Sequence, residues 1–304
     1  MATILSKEQL NLLENILTQA LDSYEVIPSI SEEEQQAKAN AELLQAYLSA
    51  KKIEGCSEKT IGYYQSTIDT LFVAVCKPVC DVTTNDIRNY LSGYQEQRKV
   101  SRVTIDNMRR IFSSFFAWLE DEDFIVKSPV RRIHRVRTES LVKEVLTDEN
   151  MEVLRDSCQE IRDIAMIDLL ASTGMRVGEL VNLNREDIDF HERQCVVFGK
   201  GNKEREVYFN ARTKIHLQNY LSSRTDDNPA LFVSLSNPHS RLSISGVEVR
   251  LRTLGRKVNI AKVHPHKFRR TLATMAIDKG MPIEQVQRLL GHVKIDTTLH
   301  YAMV

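Results

Sequence analysis

Apolar residues recur at helical spacing through the first part of the chain. Between about Ala41 and Glu122 this pattern predicts a compact domain built only of helices. The predicted helices lie near residues 41–51, 58–75, 84–97 and 102–121. Ser57, and Thr83 or Thr84, precede two of these segments, where their side-chain oxygens can accept hydrogen bonds from free backbone amides and so mark the helix starts.

The segments on either side of this domain are polar. Residues 1–40 begin with an amphipathic helical pattern and continue as IPSISEEEQQAKAN, which predicts an acidic helical extension that ends in a linker. Residues 126–140, VKSPVRRIHRVRTES, have little hydrophobic periodicity and are interpreted as a basic linker between two domains. Its arginines would be solvated or would also contact phosphates, and the two are compatible. These arginines are Arg131, Arg132, Arg135 and Arg137.

A second domain is predicted over residues 141–304. Most of it has helical periodicity, and CVVFGKGNKEREVYF predicts one hairpin, because two β-rich runs flank Gly-Lys-Gly-Asn-Lys. Its helices are expected in LTDENMEVLRDSC and IRDIAMIDLLASTG, and near residues 211–223, 244–259, 265–279 and 282–290. The predicted fold class is therefore mainly α, with an all-helical domain at 41–125 and a mostly helical domain that contains a small antiparallel sheet.

Composition excludes some classes of protein and leaves others open. No run of about 18 apolar residues is present, so no segment is expected to span a membrane. The N-terminus has no signal-peptide pattern and the five cysteines complete no zinc set, so reduced thiols in the cytoplasm are expected. The net charge is zero, but residues 1–50 carry two lysines and eight acidic residues, which leaves a net charge of +6 on the rest. That basic body is compatible with a nucleic-acid partner.

Two predicted helix starts contain cations, which the partial positive charge of a helix N-terminus disfavours. In STGMRVGEL, Ser172 or Thr173 is expected to cap a helix whose first turn contains Arg176. In VHPHKFRRTLAT, Pro265 suits the first helical position and four cationic side chains follow it. A bound anion would compensate both, because exposed amides and guanidinium groups form a phosphate site; screened surface cations are the alternative. The second group consists of His266, Lys267, Arg269 and Arg270.

Five motifs of the second domain resemble those of the tyrosine recombinases, also called the phage integrase family. STGMRVGEL, FGKGNKERE, HPHKFRRTLAT, LLGHVKIDTT and LHY occur in this order at family-like separations, and they are most similar to the Xer-like branch. They extend from about residue 145 to the C-terminus, while the helical domain before them resembles the family's core-binding (SAM-like) domain. The resemblance implies an enzyme that cuts DNA and rejoins it through a covalent phosphotyrosyl bond.

The resemblance also implies roles for single residues. Tyr301 matches the nucleophile, and Arg176 and Arg269 match the two arginines that hold the scissile phosphate. Lys200, on the predicted hairpin, matches the lysine that protonates the leaving 5′ oxygen. The other matches are His266 with the histidine of the HxxR motif, His292 with the second His/Trp position and Glu179 with the supporting acidic residue. Lys203, Lys267 and Arg270 are expected to contact DNA together with the arginines of the linker.

The chemistry of attack on a phosphodiester agrees with these matches. Two arginines can stabilise the negative charge that develops on the non-bridging oxygens. A tyrosine with a pKa near 10 needs a neighbouring base and a cationic field, and histidine suits that proton transfer near neutral pH. Because the phosphotyrosine keeps the bond energy, neither a metal nor ATP is required, and no cluster of carboxylates suggests a two-metal nuclease. No cofactor is therefore predicted.

The predicted partner is double-stranded DNA, held between the two domains. Four protomers, as two dimers, would exchange strands through a Holliday junction, and the protein without DNA is expected to be a monomer with no membrane partner. The chain ends three residues after Tyr301, where family members usually continue into a helix that docks on a neighbouring subunit. Either the chain is truncated or its assembly differs from that of the family.

Several alternatives stay open at this point. A mobile-element integrase and a chromosome-dimer resolvase are both possible, and the N-terminal extension favours the mobile element. A DNA-binding regulator without catalysis is the second hypothesis, because LATMAIDKGMPIEQVQRLLGHVKIDTT is typical of a helix-turn-helix with Gly280 and Pro282 at the turn. A topoisomerase would use the same chemistry alone. A metal site of His264, His266 and His292 is disfavoured, because two arginines lie nearby in the sequence and no Asp, Glu or Cys completes the set.

Overall fold

The computed structural model divides the chain into two compact units, Met1–Ser140 and Leu141–Val304. The structure describes residues 7–21, 32–137, 144–199, 204–292 and 294–302. Lys200 and Lys203 lie outside these residues, and for Tyr301 only the helix that contains it is described. Within the described ranges, no helix is both long and apolar enough to cross a bilayer.

All the helices of the described part of the first unit pack without any strand, as the hydrophobic pattern predicts. The helix predicted to start near residue 41 begins earlier, at Glu32, so the polar sequence predicted as a linker is largely helical. Its glutamate, glutamine and alanine residues are all strong helix formers, which explains the extension. The helices are α1 (Lys7–Leu21), α2 (Glu32–Ile53), α3 (Glu58–Val75), α4 (Thr84–Arg98) and α5 (Arg102–Asp121), with a 3₁₀ turn at Val79–Asp81.

Both predicted helix caps of this unit are confirmed. The Ser57 side chain accepts from the amide of Thr60 at 3.3 Å, and Thr83 forms a reciprocal capping box with Asp86. The core is aromatic: α5 contributes three fully buried phenylalanines, which pack edge to face with their neighbours. They are Phe112, Phe115 and Phe116.

The segment after α5 packs on the first unit and is not a free linker over its described length. Val130 is buried, and Ile133 and Val136 pack against the same hydrophobic core. The amide of Val136 also donates to Asp106 Oδ1 at 3.1 Å. The apolar positions recur only three residues apart and only three times, which is too short a run to stand out as periodicity in the sequence. Beside these apolar residues in the sequence are the four arginines of residues 131–137, all of them exposed, which we call the arginine strip.

The described part of the second unit is mostly helical with one small antiparallel sheet, as predicted. The sheet has the strand order β1-β2-β3, and the last two strands form the predicted hairpin, with Val196 opposite Glu206. The short β1 and the last helix are elements that the sequence pattern did not predict. The strands are β1 (Ile188–Asp189), β2 (Gln194–Phe198) and β3 (Glu204–Tyr208). The helices are α6 (Asp148–Asp156), α7 (Ile161–Thr173), α8 (Val177–Asn182), α9 (Ala211–Ser223), α10 (Ile244–Lys257), α11 (Pro265–Asp278), α12 (Ile283–Leu290) and α13 (Ile295–Ala302).

Helix α7 is the centre of this unit and is buried on most of its surface. It carries two buried aspartates, and each is neutralised by an arginine from another helix. Asp163 Oδ2 accepts from Arg250 Nε at 2.5 Å, and Asp168 Oδ1 accepts from Arg155 Nε at 2.6 Å. Buried carboxylates need such partners, because an unpaired charge is costly away from water. These contacts fix α7, and the candidate site begins at its C-terminal end.

Candidate active site

The turn between α7 and α8 places Arg176 at the start of α8. Helix α7 ends at Thr173, and Gly174 continues in the left-handed conformation with φ +58°, where a Cβ would approach Leu272 Cδ2 to 2.8 Å. The expectation that Ser172 or Thr173 caps the next helix is wrong, because both belong to α7. The Thr173 hydroxyl donates back to the carbonyl of Leu169 within that helix. Arg176 itself occupies the N-cap position of α8.

Glu179 binds the Arg176 side chain and a second arginine. Its carboxylate accepts from the backbone amide of Arg176 at 2.7 Å and from Nη1 of Arg176 at 2.9 Å. Arg205 on β3 donates to the same carboxylate with both Nη atoms, each at 2.7 Å. Burial works to raise the pKa of Glu179, but the hydrogen bonds and charges of Arg205 and Arg176 outweigh it and hold the pKa below its ordinary value. Glu179 is therefore an anion that orients two guanidinium groups.

Arg269 on α11 is buried and lies against the same region. Only 2% of it is exposed, and it donates through Nη1 to the carbonyl of Gly174 at 2.6 Å and through Nη2 to the carbonyl of Leu290. Arg176 Nη2 donates to the next carbonyl, that of Gly291, at 3.2 Å. The end of α12 thus holds both arginines, since the C-terminal carbonyls of a helix attract cations.

We call Arg176, Glu179, Arg205 and Arg269 the arginine cluster. It contains three guanidinium groups and one carboxylate, so it carries an excess of two positive charges. The protein's own carbonyls and Glu179 supply part of the charge compensation that was expected from a bound anion. The remaining excess, beside an Arg176 side chain that is 32% exposed, is suited to bind an anion such as a phosphodiester.

Two histidines lie beside the cluster and are held in the neutral form. Desolvation and the charges of Arg269, Arg176 and Arg205 lower the pKa of His292 to about 4. Desolvation and the charges of Arg269 and Arg176 also lower the pKa of His266 from its ordinary value. The ring Nδ1 of His292 is 2.9 Å from Oγ1 of Thr298, a buried residue of α13. Both imidazoles are therefore neutral near neutral pH, and each can donate a hydrogen bond through one ring nitrogen and accept one through the other.

Tyr301 lies in α13, three residues after Thr298. Residues 200–203, which include Lys200 and Lys203, lie outside the described residues. Lys267 is buried, and its ammonium group is directed at the carbonyl of Ala261 at 3.0 Å rather than at solvent. The structure thus brings Arg176, Glu179, Arg269, His266 and His292 together and directs Lys267 elsewhere.

Other predicted site residues take up positions around this group. Arg270 is partly exposed, and its Nη1 donates to the carbonyl of Glu144 at 2.9 Å. Pro265 occupies the first position of α11, as predicted, and His264 forms its N-cap. Among the described side chains, no group of three or more His, Cys, Asp and Glu is placed to hold a metal ion.

Arg205 and Thr298 contact the predicted residues but were not singled out from the sequence. A signal for Arg205 is present: strand alternation puts it on the same face as the buried Val207, and an arginine on an inward face requires an acidic partner. No comparable signal marks Thr298, because a threonine in a polar helical segment is ordinary.

Comparison with known proteins shows the family to which the chain belongs. A family model described as "Phage integrase family" matches residues 144–304, and one described as "Phage integrase, N-terminal SAM-like domain" matches residues 43–125. The chain belongs to the phage integrase family, the tyrosine recombinases. It is 31% identical over 275 residues to the tyrosine recombinase XerC of Staphylococcus aureus (strain bovine RF122 / ET3-1), a match that covers 86% of this chain and 91% of that one.

Solved structures share the fold of this recombinase. The Tn1549 transposon integrase in complex with a circular intermediate DNA has a TM-score of 0.71 at 20% identity, covering 85% of this chain and 94% of that one. A lambda integrase dimer bound to a COC′ core site has a TM-score of 0.69 at 18% identity, covering 97% and 86%. The predicted mainly α fold with a SAM-like first domain is therefore confirmed.

Family membership also decides between enzyme and regulator. The chain is a DNA-binding enzyme of the class that cleaves and rejoins DNA. The helix pair that suggested a helix-turn-helix is present as α11 and α12, and Gly280 in the turn between them has φ +86°. The carbonyls of Leu290 and Gly291, at the end of α12, bind the two arginines, so this helix pair is part of the candidate active site.

Proposed function

We propose that this protein is a site-specific recombinase in which Tyr301 cleaves DNA and keeps the broken end as a 3′-phosphotyrosyl bond. The observation that carries the proposal is the arginine cluster: Arg176 and Arg269 are anchored on the consecutive carbonyls of Leu290 and Gly291, next to two neutral histidines. Guanidinium groups held rigidly in this way stabilise charge as it develops and need no reorganisation during the reaction.

In the proposed cleavage step, Oη of Tyr301 attacks the scissile phosphorus as the bond between phosphorus and the 5′ oxygen breaks. The tyrosine proton passes to His266, whose lowered pKa leaves its imidazole neutral and able to accept it. Lys200 gives a proton to the departing 5′ oxygen. Attack of a 5′ hydroxyl on the phosphotyrosine reverses every step and reseals the strand, so the energy of the bond is conserved.

Arg176, Arg269 and His292 bind the non-bridging oxygens in this proposal. The proposal requires the tautomer in which Nδ1 of His292 accepts the Thr298 hydroxyl hydrogen, because the ring hydrogen is then on Nε2 and can be donated to the phosphate. Glu179 supports Arg176. Lys267 is left out of the phosphate contacts, because its ammonium group is bound within the protein. The arginine strip, Lys203 and Arg270 contact other phosphates of the duplex.

We further propose that four protomers act on two DNA sites and exchange strands through a Holliday junction. The proposed setting is a mobile element, which the acidic N-terminal extension favours. Chromosome-dimer resolution is the second candidate, because relatives at 31% identity carry the name XerC. Recombination between sites taken from the flanks of the gene, compared with sites taken from elsewhere in the chromosome, distinguishes the two settings.

Covalent trapping tests the proposed chemistry. The protein is incubated with nicked suicide duplexes from DNA that flanks its gene, and adducts that resist SDS are measured for the wild type and for Tyr301→Phe. The wild type is expected to form an adduct and the variant none, while both bind the DNA with similar affinity. An adduct formed by Tyr301→Phe would contradict the assignment of the nucleophile, and specific binding with no adduct in either protein would contradict the proposed cleavage.

A further inference from the structure

Arg205 occupies a position in the cluster that the proposed chemistry does not use. It lies on β3 and is mostly buried, with 12% of its side chain exposed. Its two Nη atoms face the two oxygens of Glu179, one to one, at 2.7 Å each. This bidentate geometry fixes the plane of the carboxylate, because both hydrogen bonds of the pair must stay in line.

The carboxylate that Arg205 holds is the one that holds Arg176. Oε1 of Glu179 accepts from Arg176 Nη1 at 2.9 Å, and Oε2 accepts from the Arg176 amide. Arg176 therefore cannot keep its present orientation if the carboxylate rotates. A lysine at position 205 would keep the positive charge but would present one ammonium group where the guanidinium presents a planar pair of donors.

Arg205 also packs against the second anchor of Arg176. A Cβ built on Gly291 would lie 2.9 Å from Cδ of Arg205 and 3.2 Å from its Nε, so the arginine stem is in close contact with the backbone there. The carbonyl of Gly291 accepts from Nη2 of Arg176. Arg205 thus touches both groups, the Glu179 carboxylate and the Gly291 backbone, that set the position of the Arg176 guanidinium.

We propose that Arg205 is a positioning residue, which aligns Arg176 on the scissile phosphate through Glu179 and Gly291 without touching the DNA itself. This inference rests on the proposed phosphate role of Arg176. If so, loss of Arg205 impairs only the function of the Arg176 guanidinium. That function is to stabilise the negative charge on a non-bridging oxygen of the scissile phosphate.

A methylphosphonate at the scissile position separates this role from a merely structural one. The methyl group replaces one non-bridging oxygen, so the linkage is neutral and needs less cationic stabilisation. Adduct formation is measured in a single turnover for the wild type, Arg176→Ala and Arg205→Lys, on phosphate and on methylphosphonate substrates of the same sequence. On phosphate, Arg205→Lys is expected to slow adduct formation by about 100-fold, the size of effect that a misplaced catalytic group produces.

On methylphosphonate, Arg176→Ala and Arg205→Lys are both expected to approach the wild-type rate to within about threefold, because the charge that they fail to stabilise is absent. The double variant Arg176→Ala/Arg205→Lys should be no slower on phosphate than Arg176→Ala alone, since both changes remove the same interaction. An Arg205→Lys defect of equal size on both substrates, or wild-type rates on phosphate, would overturn the proposal.

Two further variants separate an effect on Arg176 from a general loss of stability. Arg224→Lys is the matched control, since Arg224 is also a buried arginine bonded through two nitrogens to one carboxylate, that of Asp226, but lies outside the cluster. It is expected to lower thermal stability and to leave the cleavage rate unchanged. Glu179→Gln keeps the side-chain shape and is expected to show the same dependence on the substrate as Arg205→Lys; insensitivity to the substrate in Glu179→Gln would also overturn the proposal.

The proposed function can fail separately from this inference. If the wild type forms no adduct that depends on Tyr301, the proposed function is wrong. If the wild type forms the adduct and methylphosphonate restores Arg176→Ala but not Arg205→Lys, the recombinase chemistry stands and the positioning role of Arg205 is wrong.

Discussion

The two units of the protein use arginine in opposite ways. In the arginine strip the guanidinium groups are exposed: the side chain of Arg131 is 66% accessible, and its nearest acidic partner, Glu120, is 3.7 Å away. In the arginine cluster, Arg269 is 2% exposed and is bound to two backbone carbonyls. The segment that carries the strip is attached to the first unit by the side chains of Val130, Ile133 and Val136. The cluster, in contrast, is held in place by the hydrogen bonds of its own guanidinium groups.

This difference predicts different contributions to function. An exposed arginine attracts phosphates by charge alone, adds a small free energy and is screened by salt. An arginine that is held in one orientation stabilises charge at one position. Its contribution to the cleavage rate therefore depends on geometry, and its loss slows cleavage strongly. The strip should therefore govern how tightly DNA is bound, and the cluster should govern how fast it is cleaved.

The largest effect is expected for Arg269→Ala. The variant should cleave a suicide substrate two to three orders of magnitude more slowly than the wild type, because it removes a preorganised donor to the charged phosphate oxygens. Single-turnover rates at saturating DNA measure this. Arg212→Lys, which alters an exposed arginine on α9 paired with Glu152, is the control and should cleave at the wild-type rate. A loss of less than tenfold for Arg269→Ala would remove the distinction between fixed and exposed arginines.

The next effect concerns stability. Glu179→Gln removes the only carboxylate hydrogen-bonded to Arg176 and Arg205 among the described residues, and leaves two cations without it in a largely buried place. The free energy of unfolding should fall by about 3 kcal/mol, as expected when one partner of a buried pair is lost. Urea unfolding measures it. Glu152→Gln is the control: this carboxylate also accepts from two arginines, but it is 55% exposed, and a much smaller change than for Glu179→Gln is expected.

A result in which both variants lose the same stability would mean that burial does not distinguish the Glu179 pair from the Glu152 pair. A small loss in both variants would also show that the cluster is held by packing and not by its charges.

The sequence predicts those features that depend on interactions between residues close together in the chain. Helices α3, α4 and α5 are predicted to within a residue, because their caps and periodicity are local. The helical conformation of residues 32–40 is not predicted, because a helix made of polar residues has no apolar face that the sequence pattern could show. The packing of residues 130–136 on the first unit is not predicted for a related reason, since the apolar residues of this segment are few and closely spaced.

The candidate site is divided in the same way. Arg176, Arg269 and His292 are predicted from motifs. A motif identifies residues that act together in the folded protein without showing which contacts bring them together. Their anchors could not be predicted, since the bonds from Arg269 to Gly174 and Leu290 join residues 95 and 21 positions apart. The Ser172 or Thr173 cap was wrong because α7 continues through both residues and only Gly174 ends it.

A smaller effect is expected from the pH dependence of stability. The folded-state pKa of His292, about 4, lies below its ordinary value of 6.5. The unfolded state therefore binds the proton first as the pH falls, so stability is full above pH 6.5 and is lost between 6.5 and 4. The wild type should lose about 1 kcal/mol more than His292→Asn between pH 7.5 and 5, because the half-buried ring is partly screened. Equal losses for the two proteins would show that the cluster does not disfavour a charged His292.

The smallest effects are expected from the strip. Arg132→Ala and Arg137→Ala should each weaken DNA binding modestly, and to the same extent for specific and for unrelated sequences, because an exposed guanidinium reads charge and not bases. The plot of log affinity against log salt should become shallower by about 0.9 for each arginine that meets a phosphate. Cleavage rates at saturating DNA should not change, since neither side chain is part of the cluster.

Titration at several salt concentrations measures the slope, and Lys59→Ala, which removes an exposed cation of α3, is the control with an unchanged slope. A strip variant that cleaves slowly even at saturation would show that its arginine acts in the reaction, and exposure would then be a poor guide to what an arginine does here.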